Sequence, residues 1–81
     1  MPRELFYIVR IDYRIVPAIL EYVSDDNRRF TSYREGAEMY TSKRKAIAEA
    51  RRLTRLPIWP GQWKVIGATT RRTVFDSAAG D

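Results

Sequence analysis

The stretch of sequence that decides the fold is residues 41–55, TSKRKAIAEARRLTR. Its apolar residues recur at the spacing of one helical face and form a single stripe: Ala46, Ile47, Ala50 and Leu53. Thr41 or Ser42 can supply the side-chain oxygen that caps the first free backbone N–H groups, and Pro57 ends the helix. Because most of the stripe is small, we expect this helix to pack closely against a β-sheet.

Three segments before the helix have the composition of β-strands. A connection at 12–17 and a turn at 25–27 separate them, and they cover residues 5–11, 18–24 and 28–33. Alternation along the first segment places four apolar side chains on one face, which we expect to be the core face: Leu5, Tyr7, Val9 and Ile11.

One main strand, residues 63–70, follows the helix, and residues 71–75 either extend it or form a short additional strand. The sequence therefore predicts a single α+β domain over residues 1–75. Its antiparallel sheet has about four strands, in the order β-β-β-α-β, with one helix packed on one face. Residues 76–81 are predicted to be a flexible tail.

The composition excludes several kinds of chemistry. The chain contains no His and no Cys, so it cannot build a Ser-His or Cys-His nucleophile or an ordinary zinc, haem or iron–sulfur site. Its glycines are too scattered for a phosphate-binding loop, and no acidic residues have metal-loop spacing. We therefore expect a protein that is not an enzyme, with no catalytic residues, no metal and no cofactor.

The apolar stretches are short. None approaches the roughly 20 residues that cross a bilayer, and the first residues lack the features of a signal peptide. We therefore predict a cytoplasmic protein with no membrane partner.

The net charge of +5 is concentrated on the predicted helix. Residues 43–55 contain six basic residues and one acidic residue, whereas the rest of the chain has nine of each. The exposed cations form two rows, Arg44, Arg51 and Arg55 in one and Lys45 and Arg52 in the other. Glu49 lies at pairing distance from Lys45. The rows predict a ridge that meets phosphate or an acidic protein surface, or alternatively a solvated face.

Further contact candidates lie outside the helix. Arg71 and Arg72 have no acidic neighbour before Asp76, and several aromatic residues exceed what one thin core can hold, Phe75 among them. Exposed aromatic residues beside arginine are typical of interface centres and of base-stacking surfaces. The predicted partner-binding residues are Arg44, Lys45, Arg51, Arg52, Arg55, Arg71, Arg72, Tyr33, Tyr40 and Trp59. Trp59 has an alternative role as a lid on the open end of the core.

The sequence from residue 37 to residue 53 resembles small phage-encoded proteins with the order β-β-β-α-β. The shared pattern is Ala37-x-x-Tyr40-x-Ser42-x-x-x-Ala46-x-x-x-Ala50-x-x-Leu53. Several such proteins inhibit host machinery, and anti-CRISPR proteins are among them. The resemblance implies stoichiometric binding and occlusion of a host protein or ribonucleoprotein complex in the host cytoplasm, without catalysis.

The order of elements also resembles the DNA-binding domains at phage integrase amino-terminal arms, in which a three-stranded sheet enters the major groove. That resemblance implies base-reading residues on the exposed sheet face, for example Arg10, Arg29, Thr31 and Tyr33. Direct binding of DNA or RNA by the basic helix is therefore the alternative function. A homodimer that completes the thin core is a third hypothesis.

Overall fold

The computed structural model describes residues 4–24, 30–56 and 61–79. The elements are β1 (Phe6–Asp12), β2 (Ile19–Val23), β3 (Phe30–Thr31), α1 (Lys43–Thr54), β4 (Gln62–Gly67) and β5 (Thr73–Asp76), with 3-10 turns at Arg34–Gly36 and Ser77–Ala79. The strands form one antiparallel sheet in the order β3-β2-β1-β4-β5. The predicted α+β class, with one helix on one face, is confirmed.

The helix forms where the apolar stripe predicted it. The Ser42 hydroxyl caps it by accepting a hydrogen bond from the backbone N–H of Lys45 at 3.2 Å. Ala46, Ala50 and Leu53 are buried against the sheet. Because two of these contact residues are alanines, the backbone of α1 can approach the strands closely. Pro57, the predicted helix terminator, lies outside the described residues.

The core between α1 and the sheet contains the face of β1 that carries Ile8. The predicted core face of β1 is the other one. Ile8 packs there with Trp63 and Val65 of β4 and with Phe75 of β5. Tyr7, Val9 and Ile11, the predicted core face, point to the other side of the sheet. The prediction that this face of β1 is buried is confirmed for Tyr7, Val9 and Ile11 and wrong for Leu5, which is 36% exposed. The helix packs on the opposite face, which is possible because β1 is the middle strand and carries apolar residues on both faces.

The face of β1 that points away from the helix is nevertheless buried. Tyr7, Val9 and Ile11 are 6%, 1% and 9% exposed. The Tyr7 and Tyr22 ring centroids lie 5.6 Å apart, and the Arg34 guanidinium carbon stands 5.6 Å from the Tyr7 centroid. Arg34 also donates a hydrogen bond to the Ala68 carbonyl at 3.1 Å. A cation and an aromatic ring thus cover this face.

The end of the chain forms a fifth strand that turns back on β4. Gly67 and Arg72 close the turn through a hydrogen bond from the Gly67 N–H to the Arg72 carbonyl at 2.9 Å. Arg71 takes a left-handed backbone conformation, with φ of 61°. β4 therefore ends at Gly67 and does not continue to residue 70. The chain reversal after Gly67 adds a fifth strand, β5, where the sequence predicted about four.

Regular structure continues past the predicted domain boundary at residue 75. Asp76 belongs to β5, and the 3-10 turn Ser77–Ala79 follows it directly. The Ser77 hydroxyl accepts a hydrogen bond from the backbone N–H of Trp63 at 2.9 Å, which anchors the turn to the start of β4. Residues 80 and 81 lie outside the described residues.

The β1–β2 connection projects from the sheet, and residues 13–20 are all exposed. Val16 and Pro17 are joined by a cis peptide bond. On the other side of β2, strand β3 is only two residues long, because the Thr31 hydroxyl accepts from the Tyr33 N–H and the chain leaves the sheet there. No helix in the described part of the chain has the length and apolar character to cross a membrane.

Candidate anion-binding surface on the helix side

The solvent side of α1 carries a group of exposed cations. With the apolar stripe packed on the sheet, the opposite side of the helix must face water. We define the cationic helix face as Lys43, Arg44, Lys45, Arg51 and Arg55, all of which are exposed. From Arg44 to Arg55 it extends about 16 Å along the helix axis at the usual rise per residue.

Arg52 is exposed too, but it pairs with a carboxylate. Its Nε and Nη2 atoms contact the Oε1 and Oε2 atoms of Glu49 at 2.9 and 2.6 Å, a two-bond contact that raises the pKa of Arg52. The predicted pairing of Glu49 with Lys45 is therefore wrong, since the arginine fork holds the carboxylate in the geometry it favours. Arg52 is consequently not included in the cationic helix face.

Four cations of the cationic helix face, all except Arg51, form no such pair with a described carboxylate. Among residues 4–24, 30–56 and 61–79, no carboxylate forms an ion pair with Lys43, Arg44, Lys45 or Arg55. The ion pairs between described residues lie on β1, β2, β4 and β5, in the connection after β1, or at Arg52. The positive charge of the helix therefore remains available to an external anion.

The carboxyl end of α1 and the end of β5 enclose an open cavity of about 390 Å³. The described residues that line it are Arg51, Thr54, Arg55, Phe75 and Ser77. The Arg51 guanidinium carbon lies 5.6 Å from the Phe75 ring centroid, so the cation covers the ring. Phe75, predicted to be partly exposed, is only 5% exposed for that reason and because it packs in the core.

The side-chain alternation of β5 directs the neighbouring carboxylate away from this cavity. Phe75 faces the helix, whereas Asp76 pairs with Lys64 on the other face of the sheet, with Nζ and Oδ2 3.8 Å apart. Gln62 Nε2 donates to Asp76 Oδ1 at 2.8 Å, and this bond is the largest cause of the lowered pKa of Asp76. The carboxylate is thus neutralised on the side of the sheet that α1 does not cover.

Arg71 and Arg72 lie on the turn between β4 and β5, where both are exposed. Glu4 organises this turn, because its carboxylate accepts from the N–H groups of Thr69 and Thr70 at 3.1 and 2.5 Å. The bond from Thr70 is the largest cause of the lowered pKa of Glu4, and the charge of Arg72 lowers it further. The fold therefore brings the Glu4 carboxylate near Arg72, although no acidic residue follows Arg72 in the sequence before Asp76.

The sheet topology separates these two arginines from the cavity. The turn follows Gly67, which pairs with Phe6 at the start of β1. Tyr40 also pairs with Phe6, three residues before α1 begins, so the turn and the start of the helix lie at the same end of the sheet. Arg51 and Arg55 lie at the other end, beside Ser77. The predicted contact residues thus form two groups.

The predicted aromatic contacts do not join the cationic helix face. Tyr33 is 73% exposed but follows β3, at the sheet edge opposite β5. Tyr40 is half-buried against the core, and this desolvation raises its pKa to about 12. The Tyr40 ring therefore contributes to core packing more than to contact with a partner. Trp59 lies outside the described residues.

The sheet residues implied by the integrase resemblance are not gathered on one open face. Arg10 points to the helix side, where it pairs with Glu21 and lies over the Phe30 ring, and its side chain is 12% exposed. Thr31 is partly buried and bonds to the backbone of Tyr33. Arg29 lies outside the described residues. Arg10 is therefore a structural residue, in contrast to the implied role.

Sequence reasoning missed Thr54 and Ser77 as lining residues of the cavity. Neither residue carries a signal of its own, because the cavity exists only after β5 folds back beside the helix. No protein-family model, curated protein or solved structure matches this chain.

Proposed function

We propose that this chain is a small binding protein that acts without catalysis. It docks its cationic helix face on an acidic surface of a larger protein or ribonucleoprotein complex and blocks that surface by occupying it. The observation that carries this proposal is a set of four exposed helix cations that form no ion pair with a described carboxylate: Lys43, Arg44, Lys45 and Arg55.

A rigid support makes this face suitable for binding. Ala46 and Ala50 are 0% exposed, and they fix the helix on the sheet independently of the charged side chains. Guanidinium groups can bind carboxylates with two parallel hydrogen bonds, which adds direction to the electrostatic attraction. Arginine is also enriched among the residues that dominate binding energy in protein interfaces. The resemblance to phage-encoded host inhibitors is compatible with such occlusion.

The experiment that tests this function is capture of partners from a host lysate, followed by titration of the captured partner. The test variant changes Arg44, Arg51 and Arg55 to Ser together, which lowers the net charge by three. We expect at least a hundredfold loss of affinity, because each lost charged contact is worth about 1.5–3 kcal/mol. The matched control changes Tyr13, Ala18 and Ser32 to Glu, which lowers the net charge equally at exposed positions elsewhere. If both variants lose affinity equally, the loss is caused by the change in net charge alone, which would contradict the proposal.

Direct nucleic-acid binding is the second candidate function. The observation that favours it is the pair of arginines at the cavity, since a guanidinium fork also fits phosphate. On duplex DNA the logarithm of affinity should fall by about 0.9 per neutralised phosphate for each tenfold rise in salt. Absence of binding to mixed-sequence DNA and RNA at low salt would eliminate this candidate and leave the protein-docking proposal intact.

A further inference from the structure

We propose that the outer edge of β2, together with the connection before it, is the interface at which two copies of this chain form a symmetric dimer. The inference goes beyond the docking function, because it concerns a surface outside the cationic helix face and needs no other partner. It rests on a group of exposed apolar side chains, on an open strand edge and on the local balance of charge.

Large apolar side chains are exposed at five of the eight positions from residue 13 to residue 20. Val16 is 92% exposed, and Leu20 is 44% exposed. Single exposed apolar residues are normal, but a contiguous group of them marks an interaction surface. The group, which we call the apolar edge, consists of Tyr13, Ile15, Val16, Ile19 and Leu20.

The strand beside these residues has an open outer side in the described part of the chain. β3 pairs only with Tyr22 and Val23, the last two residues of β2. The chain leaves the sheet after Thr31, where the Thr31 hydroxyl accepts a hydrogen bond from the Tyr33 N–H at 3.1 Å. The first half of β2 therefore has β1 on one side and no described strand on the other.

The backbone groups of Leu20 point to this open side. Phe6 pairs with β4 on one side and exchanges two hydrogen bonds with Tyr40 on the other, at 2.9 and 2.7 Å. Because these directions alternate along a strand, the N–H and C=O of Ile11 point to β4. Leu20 lies opposite Ile11 in β2, so its own N–H and C=O point away from β1.

A second strand is the partner that satisfies such an edge. Unpaired backbone groups are costly in hydrocarbon, so a lipid bilayer is less suitable for it. Native proteins commonly protect an exposed edge with charged side chains. Here Ile19 and Leu20 are apolar, and Glu21 is paired with Arg10. The edge therefore lacks the protection that would keep another strand away.

The local charge allows two copies to approach each other. Residues 10–23 contain two basic and two acidic residues. Asp12 pairs with Arg14, with Oδ2 and Nη2 3.0 Å apart, and Glu21 pairs with Arg10. The excess positive charge lies on α1, which packs on β4, β1 and β5. A second copy thus meets no like-charge repulsion at this surface, whereas an acidic partner gains no attraction there.

The symmetry of antiparallel pairing makes the edge complementary to itself. Two antiparallel strands are related by a two-fold axis, so the same edge of two copies can pair in a closed contact. Such a dimer extends the sheet and buries the two apolar edges against each other. It differs from a dimer that completes the helix–sheet core, and it leaves the cationic helix face of each copy exposed.

The experiment is sedimentation velocity of the full chain at protein concentrations from about 1 μM to 1 mM, because small interfaces associate weakly. We expect an equilibrium between monomer and dimer with no larger species, since a two-fold contact is closed. A monomer over the whole range would overturn the proposal, and so would growth beyond the dimer.

The test variants are Leu20→Lys and Val16→Lys, and the matched control is Met39→Lys. Met39 is 37% exposed at a position outside the apolar edge. Each test variant should raise the Kd of the dimer at least about tenfold, because it buries a charge without a partner, and Met39→Lys should change this Kd by less than about twofold. Val16 is almost fully exposed, so its replacement keeps the fold intact. Unchanged dimerisation in either test variant, or an equal loss in Met39→Lys, would overturn the site.

Amide hydrogen exchange distinguishes strand pairing from a purely apolar contact. The Leu20 N–H should exchange more slowly at high protein concentration than at low concentration, because the strand of the second copy accepts its hydrogen bond. Equally fast exchange of this amide in the dimer would overturn the strand pairing.

Neutral phosphatidylcholine vesicles test a lipid surface as the occupant of the apolar edge. We expect no adsorption of the wild type to these vesicles. Adsorption that Val16→Lys abolishes, without a dimer in solution, would assign the apolar edge to a lipid surface and overturn the proposal.

The dimer and the docking function are separated by one further comparison. The control variant of the docking test carries Glu at positions 13 and 18, so it should be monomeric. Its partner affinity is therefore compared with that of Leu20→Lys. A loss shared by these two variants reports the missing dimer, whereas a further loss on changing Arg44, Arg51 and Arg55 reports the helix. Failure of either proposal is thus recognised without the other.

Discussion

At the scale of single residues, two polar groups determine local structure that the composition does not reveal. Asp12 is 4% exposed at the end of β1 and accepts three hydrogen bonds from Arg14, one from its backbone N–H and two from its guanidinium, at 3.0–3.1 Å. Arg71 holds a backbone conformation that costs a residue with a Cβ atom about 1–2 kcal/mol. Each of these two residues leads to a prediction about the stability of the folded chain.

The first prediction concerns Asp12→Asn and pH. Hydrogen bonds from Arg14 lower the pKa of Asp12 from 3.8 to about 2, so the charged form is favoured in the folded state. The stability that this carboxylate contributes is therefore complete above pH 4 and is lost as the pH falls towards 2. Urea unfolding should show the wild type more stable than Asp12→Asn at pH 7, with the difference vanishing near pH 2. A difference that does not change with pH would contradict the role of the carboxylate charge.

The second prediction is that Arg71→Gly stabilises the protein by about 1 kcal/mol, because glycine adopts the left-handed conformation without the Cβ penalty. Arg72→Gly is the control, since it has the same loss of charge at the next position, where φ is not positive. It should be neutral or destabilising through the added freedom of the unfolded chain. Thermal unfolding of both variants measures the difference, and stabilisation by Arg72→Gly alone would contradict the assignment of strain to Arg71.

At the scale of elements, the contact between α1 and the sheet depends on small side chains. Ala46 and Ala50 are fully buried, and they face Ile8, Trp63 and Val65 across the core. A larger side chain at these positions would have to displace the helix, because protein interiors are close-packed. The helix also holds the arginines in register with β5, so its position determines the shape of the cavity.

The third prediction compares Ala50→Ile with Ala48→Ile. Both changes introduce the same β-branched residue and lower helix propensity equally, but Ala48 is exposed. Ala50→Ile should cost about 1–3 kcal/mol more than Ala48→Ile, because it overpacks the helix–sheet contact. Denaturant unfolding of the two variants isolates this packing cost. Equal stability would mean that the helix is not held close to the sheet by Ala50.

At the scale of the whole molecule, charge and packing are divided between the two sides of one helix. The side that faces the sheet is small and apolar, and the other side carries the net positive charge of the chain. Binding and folding therefore depend on different residues, except at Arg51, which also covers the buried Phe75 ring. The turn that holds Arg71 and Arg72 lies near the start of α1, and the cavity lies near its end.

The fourth prediction follows from this division. The combined change of Arg44, Arg51 and Arg55 to Ser should alter the free energy of unfolding by less than about 1.5 kcal/mol, since exposed substitutions rarely contribute more than about 0.5 kcal/mol each. Guanidinium chloride unfolding is suitable because its ionic strength screens charge repulsion between the cations. A loss of several kcal/mol would show that these arginines stabilise the fold. The role of the arginines in binding would then have to be measured with the single substitutions Arg44→Gln and Arg55→Gln.

The sequence by itself determined the features that depend on neighbours along the chain. The spacing of Ala46, Ala50 and Leu53 defines the buried side of α1, and the same periodicity places Arg44 and Arg55 in solvent. The Ser42 cap is equally local. These predictions hold because helical side-chain positions repeat with a fixed period, whatever the helix packs against.

Only the tertiary structure decided which face of β1 meets the helix, because both faces of that strand are apolar and alternation cannot rank them. It also decided that the chain after Gly67 turns back as β5, which brings Ser77 beside Arg51 and Arg55. Residues more than 20 positions apart meet there through strand pairing, and the register of such pairing depends on long-range packing that no local pattern encodes.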